Sequence, residues 1–353
     1  MLRPLRSIFP CAALLLIGIN AIPASASTRH AYVSDFSSNT ISEFSITATS
    51  GVLTPITGCT TIGTSSPVGL AVDPTGRFLY VANQTANTIS LFKINASTGC
   101  LGPGPVISTG AAPTSIGINA TGSCVFVTNQ TANTVSGYSI NATSGALTLS
   151  GTGATSPGPK GIGVDPFGQF VYAADSTGNA VSAFLIKAGS CFPATVAGSP
   201  FATGAGPTGV AVDPVGQFLF VTNNGANTVT GYTINPATGA LTVIGTSVAS
   251  GGPAGVGVDQ FGQFLYVANN TGNSVSGFSI SPTGVTAPIA VTVAGSAPLG
   301  ATVDQSGRFL YTADSLGNTV SAYTIAPATG ILTASPASPY TTGIFPFNVA
   351  TTP

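Results

Sequence analysis

Ionisable side chains are scarce in this sequence, and their scarcity limits the chemistry available to it. Only 5% of the 353 residues are charged, and tryptophan does not occur. Histidine and glutamate occur once each, as His30 and Glu43. Beyond residue 26 the charges sum to 6 − 9 = −3 and form no basic stripe. This composition argues against binding to nucleic acid and against attraction to anionic membranes.

Motifs of common enzymes are also missing. The sequence has no Gly-x-Ser-x-Gly elbow, no phosphate-binding loop and no histidine-rich metal motif. It has no Cys-x-x-Cys pair and no histidine near a cysteine, so no metal site is expected at the cysteines. The composition therefore offers few general acids, bases or nucleophiles.

The N-terminus has the pattern of a secretory signal peptide over residues 1–26. Arg3 and Arg6 precede an apolar core from Ala12 to Ile19, which is too short to span a membrane. Ala24-Ser25-Ala26 is a small-x-small cleavage site. We expect a protein without a transmembrane segment that is secreted or otherwise extracytoplasmic, in the periplasm or at the cell surface.

Four cysteines follow this segment, and an oxidising compartment would permit disulfides among them. Cys59, Cys100, Cys124 and Cys191 allow three connectivities. Cys124 takes the place of Phe78 in its repeat, which favours a small buried core residue. A bond between Cys59 and Cys100, joining neighbouring repeats, is an alternative use of two of them.

One segment type occurs seven times and determines the predicted fold. The copies begin at Tyr32, Tyr80, Phe126, Tyr172, Phe220, Tyr266 and Tyr311, with spacings of 48, 46, 46, 48, 46 and 45 residues. A period near 45 with several short strands per unit is typical of a β-propeller. We predict an all-β, seven-bladed propeller over residues 27–353, with four antiparallel strands in each blade.

The two ends of the chain predict how the ring closes. The first unit opens in a second-strand pattern at Arg29 and has no first strand before it. Pro346–Ala350 aligns with Pro67–Ala71, the first strand of the second unit. We therefore expect the C-terminal strand to complete the first blade and remove an open sheet edge.

A recurring polar pair follows each second strand. It reads Asp35/Asn39, Asn83/Asn87, Asn129/Asn133, Asp175/Asn179, Asn223/Asn227, Asn269/Asn273 and Asp314/Asn318. Its presence in every blade favours turn capping. The three carboxylates Asp35, Asp175 and Asp314 depart from the repeat and are the candidate catalytic residues. Asp35 and Asp314 lie on neighbouring blades and offer an alternative, a shared calcium ion.

Other departures from the repeat concern single charges. Pairing the first two strands predicts a salt bridge between Arg29 and Glu43, with His30 on the opposite face, in preference to a catalytic His–Glu pair. Lys160 occupies the loop entering an innermost strand, where other blades carry neutral residues such as Leu299 and Phe347. That loop borders the channel mouth, so Lys160, Leu299 and Phe347 are the candidate ligand-binding residues.

The repeated run Val-Asp-Pro-x-Gly-Arg/Gln-Phe-Leu-Tyr-Val-Ala-Asn resembles the lactonase-like seven-bladed propellers. Phe126-Val127-Thr128-Asn129 is similar to the Tyr-Val-Thr-Asn run of a repeat in secreted and surface-layer proteins. The resemblance spans the mature chain and implies a lactonase of the 6-phosphogluconolactonase type. Members resembling that enzyme often carry Pro-x-His at the innermost strand, where this chain has Gly69, Ser115, Gly161, Gly209, Gly255, Gly300 and Asn348.

Two functions follow from these observations. The first is a secreted, non-catalytic recognition or surface-scaffold protein without a cofactor, binding an extracellular protein, glycan or small molecule. The second is a hydrolase of a sugar or aldonic lactone, in which one of the three carboxylates activates water, with or without a bound cation.

Overall fold

The computed structural model describes residues 28–59, 63–187, 189–284 and 286–353. The predicted signal peptide, residues 1–26, lies outside them. The described residues form seven antiparallel sheets, and the inner strands of neighbouring sheets contact one another around a common axis. The predicted seven-bladed propeller is confirmed. Blade 1 contains the second strand Arg29–Asp35, and the other blades follow in chain order.

Each blade is built from an inner, a second, a third and an outer strand. The inner strands of blades 1 to 7 are Pro346–Thr351, Pro67–Val72, Pro113–Ile118, Pro159–Val164, Pro207–Val212, Pro253–Val258 and Pro298–Val303. The second strands are Arg29–Asp35, Phe78–Asn83, Cys124–Asn129, Phe170–Asp175, Phe218–Asn223, Phe264–Asn269 and Phe309–Asp314. The third strands are Thr40–Ile46, Thr88–Ile94, Thr134–Ile140, Ala180–Ile186, Thr228–Ile234, Ser274–Ile280 and Thr319–Ile325.

The outer strands vary most. Four of them are eight residues long, namely Leu101–Ser108, Leu147–Ala154, Leu241–Val248 and Thr286–Val293. Blade 1 has the short strand Leu53–Pro55. Blades 4 and 7 divide theirs into Pro193–Thr195 with Phe201–Ala202, and Leu332–Ala334 with Tyr340–Thr341.

Short turns join the strands at two faces of the ring. Asp73 heads the turn between the inner and second strands of blade 2, and its carboxylate accepts hydrogen bonds from the backbone of Arg77 and Phe78. We call the face with these turns the lower face. At the upper face the second of each polar pair, such as Asn87, has a positive φ, which asparagine adopts at lower cost than most residues.

Blade 1 closes with the C-terminal strand, as predicted. Tyr32 pairs with Ala350 and Val33 with Val349, so Pro346–Thr351 is the inner strand beside Arg29–Asp35. Val349 is 2% exposed. The closure joins the two ends of the described chain within one sheet and leaves no inner strand without a neighbour in the ring.

Tyrosine hydroxyls and aromatic rings connect each blade to the next. Tyr80 of blade 2 donates a hydrogen bond of 2.7 Å to the carbonyl of Gly145 in blade 3. The ring of Phe78 packs against the same glycine, and a Cβ there would collide with it. Tyr311 of blade 7 repeats the bond across the closing seam, 3.1 Å from the carbonyl of Gly51.

Two disulfides also join neighbouring blades. Cys59 is bonded to Cys100, between blades 1 and 2. Cys124 is bonded to Cys191, between blades 3 and 4. Cys124 is buried in the core, as expected, and it also forms a disulfide bond that was not predicted. In blade 3 the disulfide takes the place of the aromatic contact that Phe78 makes from blade 2, because Cys124 faces the next blade at the same position.

The predicted salt bridge between Arg29 and Glu43 was also wrong. In the observed register Glu43 lies opposite Tyr32, three residues from Arg29. Side chains alternate between the faces of a strand, so Arg29 and Glu43 are on opposite faces, and Glu43 shares a face with His30. Arg29 instead forms an ion pair with Asp304 of blade 7. The nearby Arg308 donates to the carbonyls of Ala48 and Thr49.

Removal of the closing strand tests this architecture. A chain ending at Phe345 loses the inner strand of blade 1 and leaves the edge of Arg29–Asp35 unpaired. We expect its unfolding free energy to fall by about 5 kcal/mol or more, comparable with the whole stability of many domains. Thermal and denaturant unfolding measure the change. A chain lacking only Pro353 is the control, and equal stability of both would contradict the closure.

Candidate functional site

A cavity of about 710 Å³ runs along the axis between the inner strands. Such a volume suits a small molecule. Its described lining is mostly aliphatic side chains and glycine, with hydroxyls and the amides of Gln84, Gln130, Gln305 and Asn348. Lys160 is the one ionisable residue in this lining.

Lys160, Leu299 and Phe347, the candidate ligand-binding residues, all line this cavity. Each directly follows the proline that begins an inner strand, on blades 4, 7 and 1. A β-bulge interrupts the register beside each of these positions, for example between Pro159 and Ile162. Bulges redirect side chains, and here they occur where the strand enters the upper mouth. Their role in binding stays a prediction.

The residue one position further along forms a narrow collar of small side chains. A Cβ on Gly69 would lie 2.7 Å from the Cα of Ser115 in the next blade. Gly161, Gly209 and Gly255 likewise face the backbone of the following inner strand. These are the positions at which the resembling enzymes often carry histidine. At the glycine positions of this chain, a histidine would require the inner strands to move apart.

The candidate catalytic carboxylates are buried behind the channel wall. Asp35, Asp175 and Asp314 are 0% exposed, and none is among the residues that line the cavity. Each accepts a hydrogen bond from a serine seven residues later, at 2.7 Å from Ser42 for Asp35. Asp175 and Asp314 have the same bond at 2.6 Å from Ser182 and Ser321.

Asparagine makes the equivalent contact in the other blades. The amide of Asn83 donates to Ser90 at 2.8 Å, and that of Asn129 donates to Ser136 at 2.9 Å. The second member of each pair binds the next blade. For example, the side-chain oxygen of Asn318 accepts a hydrogen bond of 2.9 Å from the backbone N–H of Phe345. Both members of the polar pair therefore have structural partners, which agrees with turn capping.

Burial changes the acidity of these carboxylates. It raises the pKa of Asp35 to about 6 and that of Asp314 to about 6, against hydroxyl hydrogen bonds that lower it. It raises the pKa of Asp175 to about 7. One oxygen of Asp35 and one of Asp175 have no hydrogen-bond partner. Ionising these groups at neutral pH therefore costs folding free energy.

Glu43 and His30 lie at the junction of blades 1 and 2. Burial raises the pKa of Glu43 to about 7 and lowers the pKa of His30. The ring of His30 packs against Gly99, as Phe78 packs against Gly145. Glu43 lies beside the Cys59–Cys100 disulfide, and this is the only group of three or more potential metal ligands found among the described residues. Its two sulfurs are bonded to each other. The shared calcium ion at Asp35 and Asp314 stays a prediction.

A triple variant tests the energetic cost of the buried carboxylates. Their folded pKa values exceed the ordinary value of 3.8, so the folded state keeps protons that the unfolded state releases. The unfolding free energy therefore falls as pH rises from about 4 to about 7. We expect Asp35→Asn/Asp175→Asn/Asp314→Asn to be more stable than the parent above pH 7, with the gain vanishing near pH 4.

Thermal unfolding across this pH range measures the difference between the two proteins. His30 and Glu43 contribute equally to the pH dependence of unfolding in both proteins, so their contributions cancel in the difference. Asn83→Asp is the matched control, because it adds a fourth buried carboxylate at this position of the repeat and should destabilise the protein above pH 7. A triple variant less stable than the parent at pH 8 would show that the carboxylates are needed as anions.

Two further sets of residues at the mouth were not identified from the sequence. Gln84 and Gln130 contribute amides to the lining and directly follow the first member of the polar pair. Phe36 and Phe345, at the upper edge of blade 1, approach with ring centroids 6.0 Å apart. Comparison of the loop positions blade by blade would have indicated both sets.

The seven-bladed propeller belongs to a known family. The family model described as "Lactonase, 7-bladed beta-propeller" matches residues 17–106, 104–162, 152–258 and 249–343. The chain belongs to this family. Comparison with curated protein sequences found no match. Within the described residues, no helix is long and apolar enough to cross a membrane.

Solved structures share the architecture at low sequence identity. A proposed 6-phosphogluconolactonase from Bacteroides fragilis is 20% identical, with a TM-score of 0.83 over 94% of this chain and 99% of that one. The periplasmic gluconolactonase of Pseudomonas aeruginosa is 18% identical, with a TM-score of 0.79 over 93% and 99% of the two chains. These similarities concern the fold.

Proposed function

We propose that this chain is an extracytoplasmic recognition protein that holds a small molecule in the upper mouth of its channel. One observation carries the proposal. The described lining combines aliphatic, hydroxyl and amide groups with a single cation, Lys160. Such a surface can desolvate and orient a ligand. General acid–base catalysis needs a titratable group within hydrogen-bond reach of the reacting atoms, and the candidate carboxylates lie behind the wall.

An extracytoplasmic location agrees with the chemistry of the chain. Two disulfides connect neighbouring blades, and such bonds persist in oxidising compartments. The predicted signal peptide at residues 1–26 points to the same route. Fractionation of cells expressing the full chain, with mass measurement of the mature N-terminus, tests the location. A cytoplasmic protein that keeps residues 1–26 would contradict it.

Selective retention of small molecules tests the binding role. We expect the mature protein to retain specific molecules from an extract of extracellular and envelope material, and these to raise its unfolding temperature. The variant Lys160→Gln/Leu299→Ser/Phe347→Ser should lose at least about tenfold in affinity for them, because it removes the cation and two apolar contacts.

A matched variant keeps this experiment interpretable. Lys187→Gln/Leu149→Ser/Val243→Ser makes the same kinds of substitution at exposed positions outside the channel lining. It should retain the same molecules as the parent. If the parent, the mouth variant and the matched variant retain identical material, the channel mouth is not the binding site and the proposal fails.

Hydrolysis of a lactone is the second candidate, favoured by membership of the lactonase family. Lys160 could then bind the carboxylate that ring opening produces, since it is the cation at the mouth. A direct catalytic role of Asp35, Asp175 and Asp314 would require the wall to open, because all three are buried.

A panel of sugar and aldonic lactones decides between the two functions. General acid–base help amounts to about a hundredfold or more, so real activity would exceed spontaneous opening. For a recognition protein we expect rates equal to those of buffer, with and without calcium. Acceleration that disappears in Lys160→Gln would establish the lactonase, and loss in Asp35→Asn/Asp314→Asn with folding intact would assign the carboxylates.

A further inference from the structure

The upper mouth is chemically asymmetric, because one side departs from the repeat toward large apolar residues. Phe345 precedes the inner-strand proline of blade 1, where the other blades have Ser66, Ala112, Gly158, Gly206, Gly252 and Ala297. Phe36 directly follows Asp35, the first member of the polar pair in blade 1. At this position the other blades have Gln84, Gln130, Ser176, Asn224, Asn270 and Ser315. Ile344, next to Phe345, is 59% exposed.

These residues meet at the seam between blades 7 and 1. The rings of Phe36 and Phe345 pack against each other. The backbone N–H of Phe36 also donates a hydrogen bond of 2.9 Å to the carbonyl of Phe345. Leu299 of blade 7 and Phe347 of blade 1 continue the apolar surface into the cavity. We call these five residues, Phe36, Leu299, Ile344, Phe345 and Phe347, the apolar side of the mouth.

Phe345 is held in a conformation that is unfavourable for it. Its φ is 58°. The same left-handed φ recurs at this position in every blade, at glycine in blades 4, 5 and 6 and at Ser66, Ala112 and Ala297 in blades 2, 3 and 7. The backbone conformation therefore belongs to the fold, and a bulky side chain suits it less well than glycine. The side chain is nevertheless only half-buried. Core packing therefore does not account for a phenylalanine at this position.

The opposite side of the mouth is polar and positive. In a ring of seven blades, blade 4 lies directly across from the seam between blades 7 and 1. Blade 4 carries Lys160, and the adjacent blades 3 and 5 contribute Gln130, Thr114 and Thr208 to the lining. Thr114 donates to the carbonyl of Lys160 at 3.0 Å, which fixes the backbone that bears the lysine.

We infer that the ligand is a small amphipathic carboxylate, with its anionic head on Lys160 and its apolar part on the opposite side of the mouth. The inference rests on the proposed function, since it names the ligand class of the same site. A purely polar sugar acid would leave the apolar side exposed to water. A neutral hydrocarbon would leave Lys160 and the amides without a partner.

Three probes separate the contributions of head and tail. Octanoate has both parts, octanol lacks the charge, and gluconate lacks the apolar tail. Isothermal calorimetry should show octanoate binding at least about tenfold more tightly than either of the others, since each lost part removes a charged hydrogen bond or several buried methylenes.

Variants assign each part to its side of the mouth. Lys160→Gln should abolish the preference for octanoate over octanol, whereas Phe347→Ser should weaken both by about tenfold. Phe345→Gly should also weaken both while preserving or raising the unfolding temperature, because glycine suits the positive φ. The exposed Lys187→Gln and Leu149→Ser are the controls and should leave all affinities unchanged.

The outcomes distinguish the ligand class from the binding role. Equal affinity for octanoate and octanol, or no effect of Phe347→Ser and Phe345→Gly, overturns the amphipathic carboxylate. If none of the three probes binds while the mouth still retains molecules from extracts, the ligand class is wrong and the recognition function stands. If the mouth retains nothing in either experiment, the recognition function itself fails.

Discussion

Each blade can bury its two faces only against its neighbours, and the remaining features of the structure depend on this constraint. The tyrosine hydroxyl of one blade reaches a glycine carbonyl in the next, and an aromatic ring covers the same glycine. Such contacts are favourable only in a complete ring, because an end blade would expose an apolar face to water. Closure of blade 1 by Pro346–Thr351 satisfies this condition.

Closure also makes one junction unlike the others. The seam between blades 7 and 1 joins segments from opposite ends of the chain, and it holds the ion pair of Arg29 with Asp304. The same seam carries the aromatic pair Phe36 and Phe345 at the upper mouth. A ring of nearly identical blades becomes a selective surface only where its symmetry is broken. At the upper mouth the apolar departures from the repeat lie at this seam, and the cationic one, Lys160, lies on blade 4 across from it.

The sequence was sufficient to predict the ring, the strands in each blade and the closing strand, because the same pattern of strand and turn residues occurs in all seven repeats. It also placed Lys160, Leu299 and Phe347 at the channel mouth by alignment alone. Features that involve two different blades were harder to predict. A salt bridge between Arg29 and Glu43 was predicted in error, because shifting the strand register by one residue moves a side chain to the opposite face. The disulfide bond of Cys124 was not predicted because its partner, Cys191, lies in the next blade.

Aspartate in place of asparagine illustrates why departure from a repeat does not by itself indicate catalysis. Asp35 accepts from Ser42 where Asn83 donates to Ser90, so reversal of one hydrogen bond accommodates either residue. The substitution adds a buried charge, but it does not move the side chain into the channel. Lys160, Phe345 and Phe347 also depart from the repeat, and they differ from Asp35 in lying at an opening. Exposure to the cavity, combined with departure from the repeat, is what selects the residues expected to meet a ligand.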